Sequence, residues 1–329
     1  MAEMIYRRLG NSGLMVSAVG VGCNNFGRKL DAAGTRAVVD AALDAGITLF
    51  DTADIYGTPS GGSEEQLGAA LRGRRDDVVL ATKFGMDMSG MNGVDHGVRG
   101  SRRYIVRAVE ASLRRLGTDH IDLYQFHEPD PVTPVEETLR ALDDLVRAGK
   151  VRYVGCSNFA GWQIADAAWT ARTAGLSPFV SAQNEYNLLD RRVEREVVPA
   201  CQRFGLGLLP YFPLADGLLT GKYRRSEAPP PGSRLAGESS RYAARLAGAP
   251  WDVIEALDAY AAKRDLPLLA VAIGGLAAQP AVASVIAGAT TPEQVRANAA
   301  AGSWQPDAAD LAELRSILPE PAGPGGSLS

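Results

Sequence analysis

Short, nearly unbroken apolar runs alternate with amphipathic stretches along the whole chain. Val19–Gly22, Ile47–Phe50, Val78–Ala81, Ile121–Phe126, Val151–Gly155, Phe179–Ala182, Leu206–Leu209 and Ser284–Ala287 predict eight strands. Runs this continuous suit parallel strands covered on both faces, since a half-exposed strand would alternate apolar with polar. The stretches between them carry helix signals. Ser63-Glu64-Glu65-Gln66 predicts a capping box ahead of Leu67, Ala70 and Leu71, and Thr133-Pro134-Val135-Glu136 a second, with Pro134 at the first helical position and Gly149 closing that helix. Between Ser101 and Gly117, Ile105, Ala108, Val109, Leu113 and Leu116 share one helical face. Eight strand-then-helix units predict an α/β fold, a (β/α)8 TIM barrel. Ahead of it, Tyr6–Leu9 and Met15–Ala18 around Gly10-Asn11-Ser12-Gly13 predict a β-hairpin capping the barrel floor. The barrel is expected over residues 1–318 as one domain, and the Pro/Gly/Ser-rich 319–329 as a flexible tail. Residues 224–246, with Pro229-Pro230-Pro231-Gly232, form a connection long enough to suggest a function of its own.

Composition narrows the classes. Lys plus Arg total 34 against 38 for Asp plus Glu, a net charge of −4, so no basic face for nucleic acid is expected. Residues 266–292 carry no charge, but Pro267, Gly274-Gly275 and Pro280 interrupt them, which suits a buried helix and strand better than a membrane span. Cys23, Cys156 and Cys201 form no paired motif, and the N-terminus lacks a signal-peptide core. Reduced thiols and a cytoplasmic location are the expectation. His96, His120 and His127 lie too far apart in sequence for a histidine zinc motif, so no metal is expected. Gly20-Val21-Gly22-Cys23-Asn24-Asn25 lacks the third glycine of a dinucleotide fingerprint and is read as the first strand and its loop.

Barrel enzymes carry their chemistry on the loops leaving the C-terminal strand ends. Here six successive strand ends are polar: Asp51; Lys83; His127; Ser157 and Asn158; Gln183 and Asn184; Tyr211. Tyr56 follows Asp51 in the same loop. A phenol is a weak proton donor at neutral pH unless a cation lowers its pKa. Lys83 on the next strand is a candidate for that cation, with Asp51 to hold it and His127 to orient a carbonyl oxygen. These types suit proton delivery to a carbonyl under reduction. Asn24, Asn25, Phe26, Phe84, Met86, Glu128 and Asp130 are expected around the substrate.

The segment Phe50-Asp51-Thr52-Ala53-Asp54-Ile55-Tyr56-Gly57, with SEEQLG, ATKFG, DLYQFHEPD, VGCSNF, SAQNEYNLLDR, PLADGLLTGKY and VIAGATTPEQVRAN, resembles the aldo-keto reductase family near its branch of potassium-channel β subunits. The resemblance runs from about Tyr6 to Asn298. It implies NADPH/NADP+ bound in extended form, a catalytic tetrad of Asp51, Tyr56, Lys83 and His127, and a small carbonyl substrate. It also implies that Ser157, Asn158 and Gln183 hold the nicotinamide carboxamide and that Tyr211 stacks on the ring. Lys222 and Arg234 would lie near the pyrophosphate and 2′-phosphate, Gly288, Thr290, Gln294 and Asn298 around the adenosine, and Gly22, Cys23, Pro213, Leu214 and Gly217 elsewhere along the cofactor. Phe212, Asp216 and Ala297 depart from that pattern: a Ser, a small residue and an acidic residue are the usual occupants. Two rival functions stay open. One is a Schiff-base aldolase using Lys83; the other is an NADPH-binding sensor or regulatory subunit with slow turnover. The sequence does not set the oligomeric state.

Overall fold

The computed structural model describes residues 3–237 and 239–321. Strands β1 (Tyr6–Arg8) and β2 (Met15–Ser17) pair antiparallel with Tyr6 opposite Ser17. Eight parallel strands follow: β3 (Val19–Gly22), β4 (Leu49–Asp51), β5 (Val79–Phe84), β6 (Ile121–Phe126), β7 (Val151–Ser157), β8 (Phe179–Gln183), β9 (Gly207–Leu208) and β10 (Val285–Gly288). Each hydrogen-bonds to the next, and β10 pairs with β3. The ring closes where Leu208 N–H donates to the Ala281 carbonyl at 2.7 Å and Ile286 N–H to that of Pro210 at 2.9 Å. This is the (β/α)8 barrel with its hairpin.

Several strands run further than the apolar pattern implied. Lys83 lies inside β5, while Asp51, Ser157 and Gln183 are the last residues of β4, β7 and β8. Polar side chains can stand at these positions because they face a cavity and one another. Side chains alternate along a strand, so residues two apart share a face. Leu49, Val79, Ala81 and Leu123 fill the barrel interior with Leu209, Ala283 and Ile286. Two residues further along the same faces come Asp51, Lys83 and Gln125. The hairpin supplies Leu9 and Val16 to the bottom of that interior cluster, which makes it the floor. Gly10 permits the close approach, its φ being +58° and a Cβ there lying 2.4 Å from the Gly205 carbonyl.

Both capping boxes are corrected. The first helix (Gly62–Ala70) begins after Gly61, and Ser63 instead donates to the Cys23 carbonyl at 2.8 Å. Gln66 accepts from Gly27 N–H at 2.9 Å and from Thr35 at 2.6 Å. Tertiary partners won both groups, tying the β3 and β4 loops to the helix. Likewise Pro134 is itself the cap of Val135–Arg147, Thr133 donates to Asp130, and Gly149 sits one residue past the Ala148 end. Ser101 and Gly117 do cap Arg102–Leu116 as their types predict. Residues 266–292 form a buried helix (Leu268–Ala277) followed by β10. No helix among the described residues is long and apolar enough to cross a membrane. The long connection holds a turn (Arg234–Ala236) and a helix (Ser240–Ala247), and 322–329 of the expected tail lie outside the described residues. All three cysteines are free and buried.

One part of the core is charged. Asp54 is fully buried; its Oδ2 accepts from Asn92 at 2.9 Å, while Oδ1 has no side-chain or backbone partner among the described residues. Beside it Glu64 accepts from Thr82 at 2.6 Å and pairs with Arg115 at 2.6 Å. Burial, and then the Glu64 charge, push the Asp54 carboxyl from 3.8 up to about 8. A carboxyl raised in the folded state stabilises the fold as the neutral acid. That contribution is full below about pH 4 and is lost as pH rises to about 8. Asp54→Asn keeps an acceptor for Asn92 and cannot ionise. Its melting temperature is expected to gain on the parent's by several degrees between pH 4 and 8 and to level off above. A gain constant with pH would show that Asp54 ionises without penalty.

Candidate active site

At the C-terminal end of the barrel lies a cavity of about 640 Å³, within the range of small-molecule and cofactor sites. Its deepest feature is an ion pair. Lys83 Nζ donates to Asp51 Oδ2 at 2.6 Å and to the Thr52 carbonyl at 2.9 Å, with the lysine fully buried. Asp51 Oδ1 accepts from Gln125 at 3.0 Å and Gln183 at 2.9 Å. Burial alone would lower the Lys83 pKa, but the Asp51 charge, then Tyr56, outweigh it and raise it. The lysine therefore stays an ammonium.

Tyr56 stands over this pair, its ring centroid 5.1 Å from Lys83 Nζ. Burial raises the phenol's pKa, Lys83 pulls against that, and burial prevails. The expected net lowering is thus corrected: the cation moderates the cost of burial, and Tyr56 remains protonated. His127 packs edge-on to Tyr56 with ring centroids 5.8 Å apart. Burial, helped by Lys83, drives its pKa well below the ordinary value, so the imidazole is neutral. Its Nδ1 has no hydrogen-bond partner among the described residues.

Asn158, at φ +60°, donates to the His127 carbonyl at 3.0 Å and accepts from the Tyr211 hydroxyl at 2.8 Å. The amide of Gln183 is similarly engaged with Asp51. Beyond Tyr211 the backbone is left-handed at Phe212, Ala215, Asp216 and Gly217, a strained course that a functional segment can retain. Here Asp216 accepts from Arg234 at 3.2 Å and lies 3.7 Å from Arg245. Lys29, Lys222 and Arg234 line the same end, close enough that burial and then their mutual repulsion lower the Lys29 pKa.

Of the residues read from the sequence, Asp51, Tyr56 and His127 reach the cavity with Gly22, Ser157, Asn158, Gln183, Tyr211, Pro213, Leu214, Gly217, Lys222, Arg234, Gly288, Thr290, Gln294 and Asn298. So do Asn24, Asn25, Met86 and Glu128, while Lys83 lies behind Asp51. Four others are off the wall. Cys23 is fully buried with its thiol on the Val21 carbonyl. Phe26 is core, and Phe84 stacks between Tyr124 and Phe126. Aromatic and thiol groups at these positions gain more from burial than from solvent. Asp130 is also off the wall, accepting instead from Gly100 and Thr133. Gln125 and Lys29 are among the residues missed. Gln125 was findable, because the two-residue period from Leu123 puts it level with Lys83. Lys29 had no such signal.

The sequence matches the aldo/keto reductase family over residues 18–319. It is 38% identical over 329 residues to an uncharacterized oxidoreductase of Bacillus subtilis (strain 168), covering 98% of each chain. A probable voltage-gated potassium channel subunit beta of Oryza sativa subsp. japonica is 38% identical over 302 residues, with 90% of each chain covered. The L-glyceraldehyde 3-phosphate reductase of Escherichia coli (strain K12) is 35% identical over 306 residues, covering 90% of this chain and 87% of that one. With its barrel, its convergent strand-end residues and these matches along nearly its whole length, the chain belongs to the aldo/keto reductase family and is an oxidoreductase.

Proposed function

We propose that this protein uses NADPH to reduce an aldehyde or ketone to the alcohol, with Tyr56 as the proton donor. The observation that carries this reading is the stack of Asp51, Lys83 and Tyr56 beside a neutral His127 at the deep end of one cavity. The cavity wall fits a dinucleotide: Lys29, Lys222 and Arg234 gather positive charge at one end, and Tyr211, Ser157 and Gln183 stand near the tetrad at the other. Bound there, the reduced nicotinamide supplies hydride. Ser157, Asn158 and Gln183 would hold its carboxamide, and the helix from Pro292 with its Thr291 cap opens beside the adenosine positions.

As a carbonyl carbon is reduced, its oxygen gains negative charge. The Tyr56 hydroxyl delivers a proton to that oxygen, and the ammonium of Lys83 stabilises the phenolate left behind. Asp51 keeps Lys83 charged and in place. His127, neutral, offers a ring nitrogen to orient the oxygen without competing for the proton. The Schiff-base alternative needs a neutral amine; a lysine paired at 2.6 Å with its pKa raised is the opposite.

Tyr56→Phe removes one hydroxyl and is expected to lower turnover about 10²- to 10⁴-fold with NADPH affinity nearly unchanged. Lys83→Met should also cripple turnover, and the double variant should lose far less than the product of the two single losses. Steady-state oxidation of NADPH with a panel of aldehydes and ketones reads all three. Near-native turnover by Tyr56→Phe would end the mechanism.

Arg234 offers a guanidinium to the 2′-phosphate, which NADH lacks. Arg234→Ala is expected to weaken NADPH about 10- to 100-fold, the worth of one or two charge-assisted hydrogen bonds, and NADH by no more than about two-fold. Dissociation constants for both cofactors test this; equal weakening would remove Arg234 as the discriminator.

A further inference from the structure

The charges on the cavity wall are segregated. Lys29, Lys222 and Arg234 stand with Asp216 at one end. At the other, the Asp51 charge is met by Lys83 and His127 is neutral. Glu128 follows His127 directly, lies exposed and lines the cavity; burial, then Glu185 behind the wall, then Tyr56 and Glu128 raise the Tyr211 phenol. The same wall holds Met86, Asn24, Asn158 and Tyr211, none of them charged. Arg99, which reaches the loop after β5, is already held by Asp87 at 3.1 Å and Asp95 at 2.9 Å. Among the described residues that line the cavity beside the tetrad, Glu128 is therefore the one charged side chain without an ion-pair partner, and its charge is negative.

Resting on the reduction proposed above, we infer that Glu128 selects the substrate: the site takes uncharged or cationic carbonyl compounds and disfavours those bearing a carboxylate or phosphate. An anionic group entering with the carbonyl meets repulsion from Glu128 and gives up its water without a cation in return. The cationic end offers no refuge, because the dinucleotide's own phosphates need it. An uncharged aryl or alkyl aldehyde gains instead from Met86 and the ring of Tyr56.

The test uses three aldehydes on one ring: benzaldehyde, 4-carboxybenzaldehyde and 4-(trimethylammonio)benzaldehyde. Ratios of kcat/KM for the full chain, Glu128→Gln and Glu128→Lys cancel the intrinsic reactivity of each. The anion-to-neutral ratio is expected to rise about five- to ten-fold in Glu128→Gln, the effect of one charge at roughly 7 Å in a solvated mouth, and further in Glu128→Lys. The cation-to-neutral ratio should move the other way, and both changes should shrink as salt is raised. Ratios agreeing within about two-fold across the three proteins would overturn the inference. Calorimetric dissociation constants of the same aldehydes need no turnover. Binding in this charge order without reduction of any aldehyde would uphold the selection by Glu128 and sink the reductase reading.

Discussion

The site depends on one interaction, the buried ion pair of Lys83 and Asp51. Removing two ions from water costs several kcal/mol each, and the pair persists only where other hydrogen bonds complete both groups. Here the Thr52 carbonyl takes a second proton of Lys83, while Gln125 and Gln183 bond the second oxygen of Asp51. The pair and these partners stand on or just after four strands, β4, β5, β6 and β8, so the pair exists only in the closed barrel. Gly155 shows how tightly this layer is built: a Cβ there would lie 2.2 Å from Ser181 Oγ and 3.2 Å from Gln125 Cγ. Packing and electrostatics are one constraint at this point.

From that pair the properties of the neighbours follow. A fixed ammonium beside Tyr56 offsets part of the burial that raises the phenol, and it reinforces the burial that keeps His127 neutral. One charge thus leaves the tyrosine able to give a proton and the histidine unable to hold a second one. Further out, Asp216 gathers Arg234 and Arg245 on a strained backbone and fixes where positive charge is presented. The cavity is polarised along its length by residues from widely separated parts of the chain.

The second buried charge cluster, Asp54 with Glu64 and Arg115, lies behind the same loop. Asp54 N–H donates to the Lys83 carbonyl at 3.1 Å, so the segment carrying Tyr56 is pinned to β5 from both sides. Gln66 and Ser63, spent on neighbouring loops and not on their own helix end, do the same work for the β3 side.

The chain's apolar runs determined the strand count, the parallel barrel and the floor hairpin, because strands covered on both faces must be apolar nearly throughout. Polar residues closing six such runs in succession marked the mouth, and family motifs then suggested a role for each. What sequence could not decide was competition among partners. Ser63 and Thr133 had the right spacing for caps, yet nearer tertiary acceptors took them. Cys23 and Phe26 sit in the right loop and Phe84 ends the right strand, yet burial turned them inward. Gln183 and Asn158 were legible as polar groups at the mouth, but that their amides hold Asp51, His127 and Tyr211 was not. Nor was the convergence of Lys29 on Arg234, or of Arg245 on Asp216. Local pattern fixes which face of an element is apolar; only the closed barrel sets which of several reachable partners each polar group meets, because that choice is made by distances between residues far apart in the chain.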